Sequence, residues 1–317
     1  MTALFHTHLS GPFTTIQDKG RFGWVHMGVP VSGAMDDFAY TCANLLVGNR
    51  KDLPALEITL SGPELEALDT VDIAVTGADM TLTVNGEPAP RWQTIRVRKG
   101  DRIAAGMAES GCRAYLAATG GIRVPSVMGS CSTYAGANLG GLDGRSLREG
   151  DILERGEGEL LRTPRRMPWF PLYSPEIHIR AIPGPQDELF SDSMGLFFKS
   201  EFTVTDRANR MGYRMEGPVI ERDAGAPKSI ISEASFPGNI QVPPDGHPII
   251  LMLEQTVGGY TKIATVITPD LFRVAQAKPG DRIRFHRVGL EAAGEICTQW
   301  AELLTELYGF LNPEEKE

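Results

Sequence analysis

The chain has 317 residues, 42% hydrophobic and 22% charged, values that are typical of globular proteins and exclude a disordered chain. Its formal net charge is -9, without a long basic stripe, so we expect no nucleic-acid partner. No run approaches the ~18 apolar residues of a membrane-spanning helix, and the first residues lack a signal-peptide pattern, so we expect a cytoplasmic protein without a membrane partner.

Helix signals occur in a few places along the chain. Ser32 is the predicted N-cap of a helix that ends at Leu46, with Asp36 and Asp37 near its positive end and Gly48 just after it. The remaining helices are predicted after Thr268-Pro269, over 290–311 and, as a shorter element, over 187–198.

Most of the remaining chain is predicted to form short strands and turns. Runs rich in β-branched residues cover 71–75, 81–84 and 230–234. Asn85-Gly86 predicts a hairpin, because both central positions of a type I′ turn require a positive φ. Gly-Asp turns recur at 100–101, 150–151 and 280–281, and the similar offsets suggest two related β-rich halves.

A proline-rich stretch divides the chain. Residues 161–175 contain Pro164, Pro168, Pro171 and Pro175, and proline cannot donate ladder hydrogen bonds, so this stretch predicts a connector. We predict a mainly β fold with two β-barrel-like lobes and a few peripheral helices. The lobes cover 1–165 and 166–288, and a C-terminal helix and tail cover 289–317.

The first polar cluster lies ahead of the first predicted helix. Gln17, Asp18 and Arg21 are followed by Ser32, with glycines between them. The N–H groups of a helix terminus favour an anion, and Arg21 can add a bidentate contact to a carboxylate or phosphate. An N-cap with a surface ion pair between Asp18 and Arg21 is the alternative.

The second cluster covers 206–218 and contains three arginines and a tyrosine. A strand here would place Arg210, Gly212, Arg214 and Glu216 on one face. The candidate binding residues are Arg207, Arg210 and Tyr213. The alternative is a solvated edge strand without a ligand.

The third cluster combines two turns with a short apolar strand over 249–253. It places Gln241, Asp245, Gln255, Tyr260 and Lys262 at the ends of that strand. Such groups suit a small polar substrate such as a urea or a lactam, and Lys262 could stabilise negative charge on the substrate oxygen. A hairpin rich in turn residues is the alternative.

Metal and nucleotide motifs are weak. His6 and His8 share a strand face, but no carboxylate or thiol stands near them at metal-ligand spacing, so we expect no metal. The four cysteines form no C-x-x-C pair and are predicted to be reduced structural thiols. The glycines of 136–145 are not followed by the lysine of a P-loop, so we expect no cofactor on this chain alone.

The three clusters together resemble the biotin-dependent carboxyltransferase A/B family. The motifs are T-T-I-Q-D-K-G-R, N-R-M-G-Y-R-M-E-G-P and Q-V-P-P-D-G-H-P, and the resemblance extends from Gly11 to Arg287. Members are labelled allophanate hydrolase subunit 2, the C subunit of 5-oxoprolinase or urea amidolyase-related protein. The resemblance implies cyclophilin-like barrel character.

Three roles are implied by this resemblance. One is a subunit of an ATP-dependent 5-oxoprolinase, which opens the pyroglutamate lactam. Another is half of a carboxyltransferase domain that moves CO2 from carboxybiotin to urea or a related amide. The third is a non-catalytic antagonist of a kinase inhibitor. Each role implies a smaller companion subunit of the carboxyltransferase C/D type.

The chain itself favours the first of these roles. It contains no second carboxyltransferase half, biotin carboxylase or biotin carrier, so we expect a subunit of the 5-oxoprolinase type that is inactive alone. ATP, with a lactam-utilisation subunit, would act at the level of the complex; carboxybiotin, with its carboxylase and carrier, would replace them in the alternative. Lys262 would hold the lactam or urea oxygen, Arg207 or Arg210 a carboxylate or carboxybiotin, and Tyr260 or Asp245 would transfer a proton.

Overall fold

The computed structural model describes residues 2–311, which form two compact units. The N-terminal unit comprises residues 2–22, 32–173 and 304–311, and the C-terminal unit comprises 23–31 and 174–303. The division between Tyr173 and Ser174 lies inside the proline-rich stretch 161–175. With 18% helix and 36% strand, the fold is mainly β with two barrel-like sheets, which confirms the predicted fold class.

The N-terminal unit is built on a ten-stranded antiparallel sheet. Its main path runs β2-β3-β8-β4-β1-β10-β9, and the long strand β5 pairs along β8 and carries β6 and β7. Apolar and mostly aliphatic side chains of these strands form the core. The strands are β1 Thr2–Leu9, β2 Phe13–Gln17, β3 Ala55–Thr59, β4 Glu64–Ala67, β5 Val71–Val84, β6 Glu87–Pro88, β7 Ile95–Val97, β8 Arg102–Ala118, β9 Ile122–Arg123 and β10 Ile152–Arg155.

The hairpin after β5 confirms the turn prediction. Asn85 has a φ of 55° and Gly86 a φ of 82°, the left-handed values that a type I′ turn requires. The two runs predicted over 71–75 and 81–84 are one strand rather than two. Register shifts between Gly77 and Leu82 bend it, so the polar residues between the runs are accommodated without a chain reversal.

Helix α1 covers Asp37–Leu46 and is buried against the sheet. Its N-cap is Asp36, whose carboxylate accepts a 2.9 Å hydrogen bond from the Ala39 N–H. The prediction that Ser32 caps this helix was therefore wrong: Ser32 lies upstream in a left-handed turn with a φ of 53°. Gly48 follows the helix with a φ of 75°, as predicted.

The C-terminal unit is a closed seven-stranded barrel in the order β11-β18-β15-β16-β13-β12-β19. The pair β11 and β19 is parallel and the other pairs are antiparallel. Phe197, Phe202 and Phe285 pack together at one side, with ring centroids 4.6–5.8 Å apart. The strands are β11 Glu176–Pro183, β12 Glu201–Val204, β13 Gly212–Glu216, β14 Glu233–Ala234, β15 Asn239–Val242, β16 Ile249–Leu251, β17 Val257–Gly258, β18 Thr261–Val266 and β19 Arg282–Arg287.

The short pair β14–β17 forms a separate two-stranded ribbon. The strand predicted over 230–234 was mostly wrong, because only its last two residues pair and Ile231 is 93% exposed. Propensity alone cannot distinguish an exposed loop rich in isoleucine from a strand.

The remaining helices agree with the sequence predictions to different degrees. The element predicted over 187–198 is a 3₁₀ turn, Asp187–Phe190, followed by α2, Met194–Lys199. Helix α3, Leu271–Ala275, is short and follows a 3₁₀ turn that contains Pro269. Helix α4, Leu290–Leu311, has the predicted bounds. Among residues 2–311, no helix has the length and apolar character needed to cross a membrane.

The three Gly-Asp turns share one geometry. Their glycines have φ values of 91°, 86° and 93°, and each aspartate carboxylate accepts a hydrogen bond from the N–H three residues earlier. The sequence echo is thus a repeated turn. The two sheets have different strand orders, so the echo does not extend to their topology.

Candidate functional site

The N-terminal cluster, Gln17, Asp18, Arg21 and Ser32, is buried. Asp18 follows β2, and its carboxylate accepts hydrogen bonds from the Ser130 hydroxyl at 2.6 Å, the Cys131 N–H at 2.5 Å, the Gly20 N–H at 2.8 Å and the Ser132 hydroxyl. A carboxylate with this many donors fixes the loop around Cys131 against the end of β2.

Arg21 contacts the same loop and does not form the surface ion pair with Asp18 that was the alternative. Its guanidinium donates to the carbonyls of Ser132 at 2.7 Å and Val127 at 3.2 Å, and within residues 2–311 its Nη1 has no partner. Burial lowers the pKa of this guanidinium below its usual value, and the nearby Asp18 carboxylate opposes that change. A buried cation with an unused donor is suited to an anion.

Gln17 and Ser32 also retain unused hydrogen-bonding capacity. Gln17 donates to Thr15 and to the Thr133 carbonyl, but its Oε1 and the Ser32 hydroxyl are buried without partners in the described part of the chain. The Ala34 N–H donates to the Asp18 carbonyl at 2.9 Å, so the turn containing Ser32 lies beside the Asp18 loop.

Sequence reasoning missed the loop that holds this cluster together. Ser130 and Ser132 carry no motif of their own, and the glycines of 136–145 were considered only as a nucleotide motif. A Cβ at Gly140 would overlap the Ser132 carbonyl and approach Nη2 of Arg21 at 2.6 Å. The glycine therefore allows the loop to pack closely on the arginine, a signal that a motif search does not include.

A second group of predicted site residues lies on the outer face of the barrel. Gln241, Gln255 and Tyr260 line a cavity of about 590 Å³, together with Arg214 and the backbone of Gly258. This volume is within the range typical of small-molecule sites. We call this space the barrel cavity.

Strand register explains which side chains face the barrel cavity. Arg214 on β13 and Gln241 on β15 both pair with Ile249 on β16, so the three side chains form a row on one face. The neighbouring row, which contains Tyr213, faces the opposite side, because side chains alternate along a strand.

Gln241 contributes a buried amide to this cavity. Its side chain is 3% exposed, and Nε2 has no hydrogen-bond partner within residues 2–311. A Cβ at Gly258 would overlap this nitrogen, so the absence of a side chain at Gly258 leaves space for the amide. Gln241 therefore keeps an unused N–H donor in the wall of the cavity.

The other two side chains of the cavity are more open. Gln255 is already engaged, since its amide donates to the Val257 carbonyl at 2.6 Å. Tyr260 is 40% exposed at the cavity. Of the two predicted proton-transfer residues, only Tyr260 lines this cavity.

Asp245 and Arg207 line a second cavity of about 370 Å³. Arg214 and Ile249 line both cavities, so the two are adjacent. The Asp245 carboxylate accepts a 3.1 Å hydrogen bond from the His247 N–H, which forms part of the turn before β16.

Lys262 is placed differently from the sequence expectation. It pairs with Gln241 across β15 and β18, but its ammonium donates a 2.6 Å hydrogen bond to Glu233 on β14. Glu233 in turn pairs with Gly258, so the ion pair attaches the β14–β17 ribbon to the barrel beside the cavity. The described lining of the cavity does not include Lys262.

Arg210 and Tyr213 lie away from both cavities. Arg210 is 6% exposed and forms an ion pair with Glu254, with its Nε 2.5 Å from the carboxylate. The Tyr213 hydroxyl donates to the Ala275 carbonyl at 3.2 Å inside the barrel. These contacts fix loops and core packing, and neither side chain borders the space that Gln241 faces.

Comparisons with known proteins agree with the resemblance found in the sequence. Residues 27–287 match the family described as carboxyltransferase domain, subdomain A and B. The chain is 37% identical to the C subunit of 5-oxoprolinase from Haemophilus influenzae over 284 residues, which cover 89% of this chain and 90% of that protein. The Escherichia coli protein of the same name is 37% identical over 290 residues, with 90% and 91% covered.

A solved structure extends the comparison. The crystal structure of the K. lactis urea amidolyase superposes with a TM-score of 0.90 at 32% identity, and the match covers 96% of this chain but 20% of that one. The shared fold thus accounts for nearly the whole of the present chain. Because the family match covers most of the sequence and two relatives align over about nine tenths of it, the chain belongs to the family of carboxyltransferase subdomains A and B.

Proposed function

We propose that this chain is a subunit of a heteromeric, ATP-dependent 5-oxoprolinase and works with a smaller companion subunit. One observation carries the proposal: the two relatives named as the C subunit of 5-oxoprolinase align over 90% and 91% of their own lengths, whereas the match to urea amidolyase covers 20% of that chain.

The chemistry of the barrel cavity supports a lactam substrate. 5-Oxoproline carries a ring amide, whose carbonyl accepts hydrogen bonds, and a carboxylate. The unused N–H donor of Gln241 suits the carbonyl oxygen, and the guanidinium of Arg214 suits the carboxylate. Ile249 lies between them on β16 and would contact the apolar edge of the ring.

Tyr260 is the proposed proton-transfer group in this cavity. Its phenol borders the cavity, so it can contact the ring nitrogen of a lactam bound there. Asp245, the other candidate, borders the adjacent cavity with Arg207, and we assign Arg207 to binding of a second anionic group.

Lys262 would act through position rather than by direct contact with the lactam. Its ion pair with Glu233 attaches the ribbon that carries Gly258, and that ribbon limits the space around Gln241. We therefore propose Lys262 as a positioning residue, while Gln241 takes the role of holding the substrate oxygen.

The N-terminal cluster is proposed to bind an anion. Arg21 supplies one unused donor, and the buried Ser32 hydroxyl can supply a second. A buried guanidinium held by carbonyls keeps its charge, so a carboxylate or phosphate is the expected ligand. ATP enters at the level of the complex, since this sequence contains no P-loop.

Reconstitution tests the proposal directly. The chain is purified with its companion subunits, and glutamate formation from 5-oxoproline is measured with and without ATP. We expect ATP-dependent glutamate that disappears when this chain is omitted. Absence of glutamate with every subunit present, or unchanged glutamate without this chain, would overturn the assignment.

Carboxyl transfer to urea is the second candidate, favoured by the TM-score of 0.90 with a urea amidolyase. The same preparation, supplied with a biotin carboxylase, its carboxylated carrier and urea, distinguishes the two. Carboxylated urea without glutamate formation would support transfer, and the reverse result would support the lactamase. A stable complex with neither activity would leave only a binding role.

A further inference from the structure

Two histidines and one glutamate converge on the outer face of the N-terminal sheet. His6 and His8 lie on β1, and Glu66 lies on the adjacent antiparallel strand β4. One potential ligand atom from each side chain lies within 4.8 Å of the other two. Within residues 2–311, this is the only group of three or more His, Cys, Asp or Glu side chains that meets this spacing.

The fold creates this group in a way that sequence spacing does not reveal. His6 and His8 are two residues apart on a strand, so they face the same side, while Phe5 and Leu65 face the core. The register pairs His6 directly with Glu66, a residue 60 positions away in the sequence. A core that fixes the faces of β1 and β4 therefore also fixes the three polar side chains.

Contacts already present favour a metal-binding arrangement. The His8 Nε2 and a Glu66 carboxylate oxygen are 2.8 Å apart, and the rings of His6 and His8 pack edge to face with centroids 4.6 Å apart. All three side chains are partly exposed, so an ion can enter from solvent. The nearby Arg102 pairs with Glu64 at 2.6 Å, which offsets part of its repulsion of a cation.

We propose that His6, His8 and Glu66 form a zinc site. Two imidazole nitrogens and one carboxylate oxygen are a recognised zinc ligand set, with water in the fourth position. Binding would replace the His8–Glu66 hydrogen bond by two metal–ligand bonds and draw the three atoms closer together. The ion would then link β1 to β4, and we infer that it stabilises this edge of the N-terminal unit.

Equilibrium dialysis of the untagged chain against Zn²⁺ tests the site. We expect the wild type to bind one equivalent. Removal of a ligand in His6→Ala or Glu66→Gln is expected to weaken binding by roughly 10- to 100-fold or more, since loss of an outer-shell partner alone has an effect of that size. Glu66→Gln preserves the size of the side chain and its capacity to hydrogen-bond His8, so it keeps the fold intact while removing the charge.

A second histidine pair supplies the matched control. His178 Nδ1 and His286 Nε2 lie 2.8 Å apart on β11 and β19, but no third ligand joins them in the described residues. The double variant His178→Ala/His286→Ala is expected to retain the bound equivalent. Thermal unfolding provides an independent readout: Zn²⁺ raises the midpoint of the wild type and of this control but not of Glu66→Gln.

Three results would overturn the zinc site. One is the absence of stoichiometric binding by the wild type. The second is equal binding by the wild type and Glu66→Gln. The third is loss of binding in His178→Ala/His286→Ala with retention in His6→Ala, which would place the ion at the other pair.

Discussion

The ammonium of Lys262, 2% exposed, donates a 2.6 Å hydrogen bond to the carboxylate of Glu233, which is 45% exposed. This pair connects a barrel strand to the ribbon over the barrel cavity. Gln186 strengthens the connection, because its side-chain amide donates to the same carboxylate at 3.1 Å and its Oε1 accepts from the Lys262 N–H.

Removing the Glu233 carboxylate is expected to destabilise the protein more than a typical surface substitution does. Glu233→Ala leaves a buried ammonium without its anion, and we expect a loss of about 1–3 kcal/mol in the free energy of unfolding. Urea denaturation measures this loss, with the exposed Glu302→Ala as control. The double variant Lys262→Met/Glu233→Ala is expected to lose less than the sum of its single changes, because no unpaired charge remains.

An unchanged stability of Glu233→Ala would mean that Lys262 does not depend on this carboxylate. Its ammonium would then be available to a substrate oxygen, the role expected from the sequence. The same measurement therefore distinguishes a positioning lysine from a catalytic one.

The ion pair also predicts a pH dependence. The hydrogen bond from Lys262 lowers the pKa of the Glu233 carboxyl in the folded protein. Because the folded pKa lies below the unfolded one, the contribution to stability is fully present above the unfolded value, roughly 4.3 for glutamate, and is lost as the pH falls through the folded pKa. The stability difference between wild type and Glu233→Gln is expected to be constant near neutral pH and to shrink in acid. A difference that grows in acid would contradict this assignment.

The local elements were the most predictable from sequence. Three predicted features depend only on residues within a few positions of each other, and the structure contains them: the bounds of α4, the Asn85-Gly86 turn and the glycine after α1. Ser32 was misassigned as a cap because serine and aspartate are both good N-caps, and only the surrounding packing placed the helix start at Asp36.

The site was predictable only in part, because long-range pairing decides which side chains share a space. Gln241 and Arg214 meet across Ile249 through strand register, which cannot be read from a single sequence. Arg214 was placed on a strand face but not among the binding residues. Lys262 was expected to hold the substrate oxygen, but its ammonium pairs with Glu233, which lies in the segment predicted as a strand over 230–234.

Gln241→Leu is expected to separate function from stability. Its Nε2 has no partner in the described structure, so the leucine removes a buried amide donor without breaking a hydrogen bond of that atom. We expect little or no loss of stability, because an unsatisfied buried amide nitrogen is replaced by an apolar group of similar size. Turnover of 5-oxoproline by the reconstituted complex is expected to fall on the order of tenfold or more, because a donor to the lactam oxygen is lost. The exposed Gln299→Leu is the control, and equal turnover by both variants would exclude Gln241 from substrate binding.

Gly258→Ala is expected to impair the same donor indirectly. The added methyl group would overlap Nε2 of Gln241, so the amide must leave its position or the ribbon must move. Gly195→Ala in α2 is a suitable control, because a Cβ there meets nothing within 4 Å. If the two residues act together, Gly258→Ala lowers turnover in the wild type but has little additional effect in Gln241→Leu. Independent, additive losses would mean that the glycine serves the ribbon rather than the amide.

Asp18→Asn tests the N-terminal cluster. The asparagine replaces one acceptor oxygen with an amide nitrogen, which would face either the Ser130 and Ser132 hydroxyls at Oδ1 or the Cys131 N–H at Oδ2. We expect a loss of about 3 kcal/mol or more in the free energy of unfolding, since a buried charged acceptor is removed and its donors are left unsatisfied. Asp143→Asn, at a side chain 79% exposed, is the matched control and is expected to change stability little. Urea denaturation checks both variants. If Asp18→Asn were as stable as the control, the carboxylate would not hold the loop that contacts Arg21, and the proposed anion site would lose its structural basis.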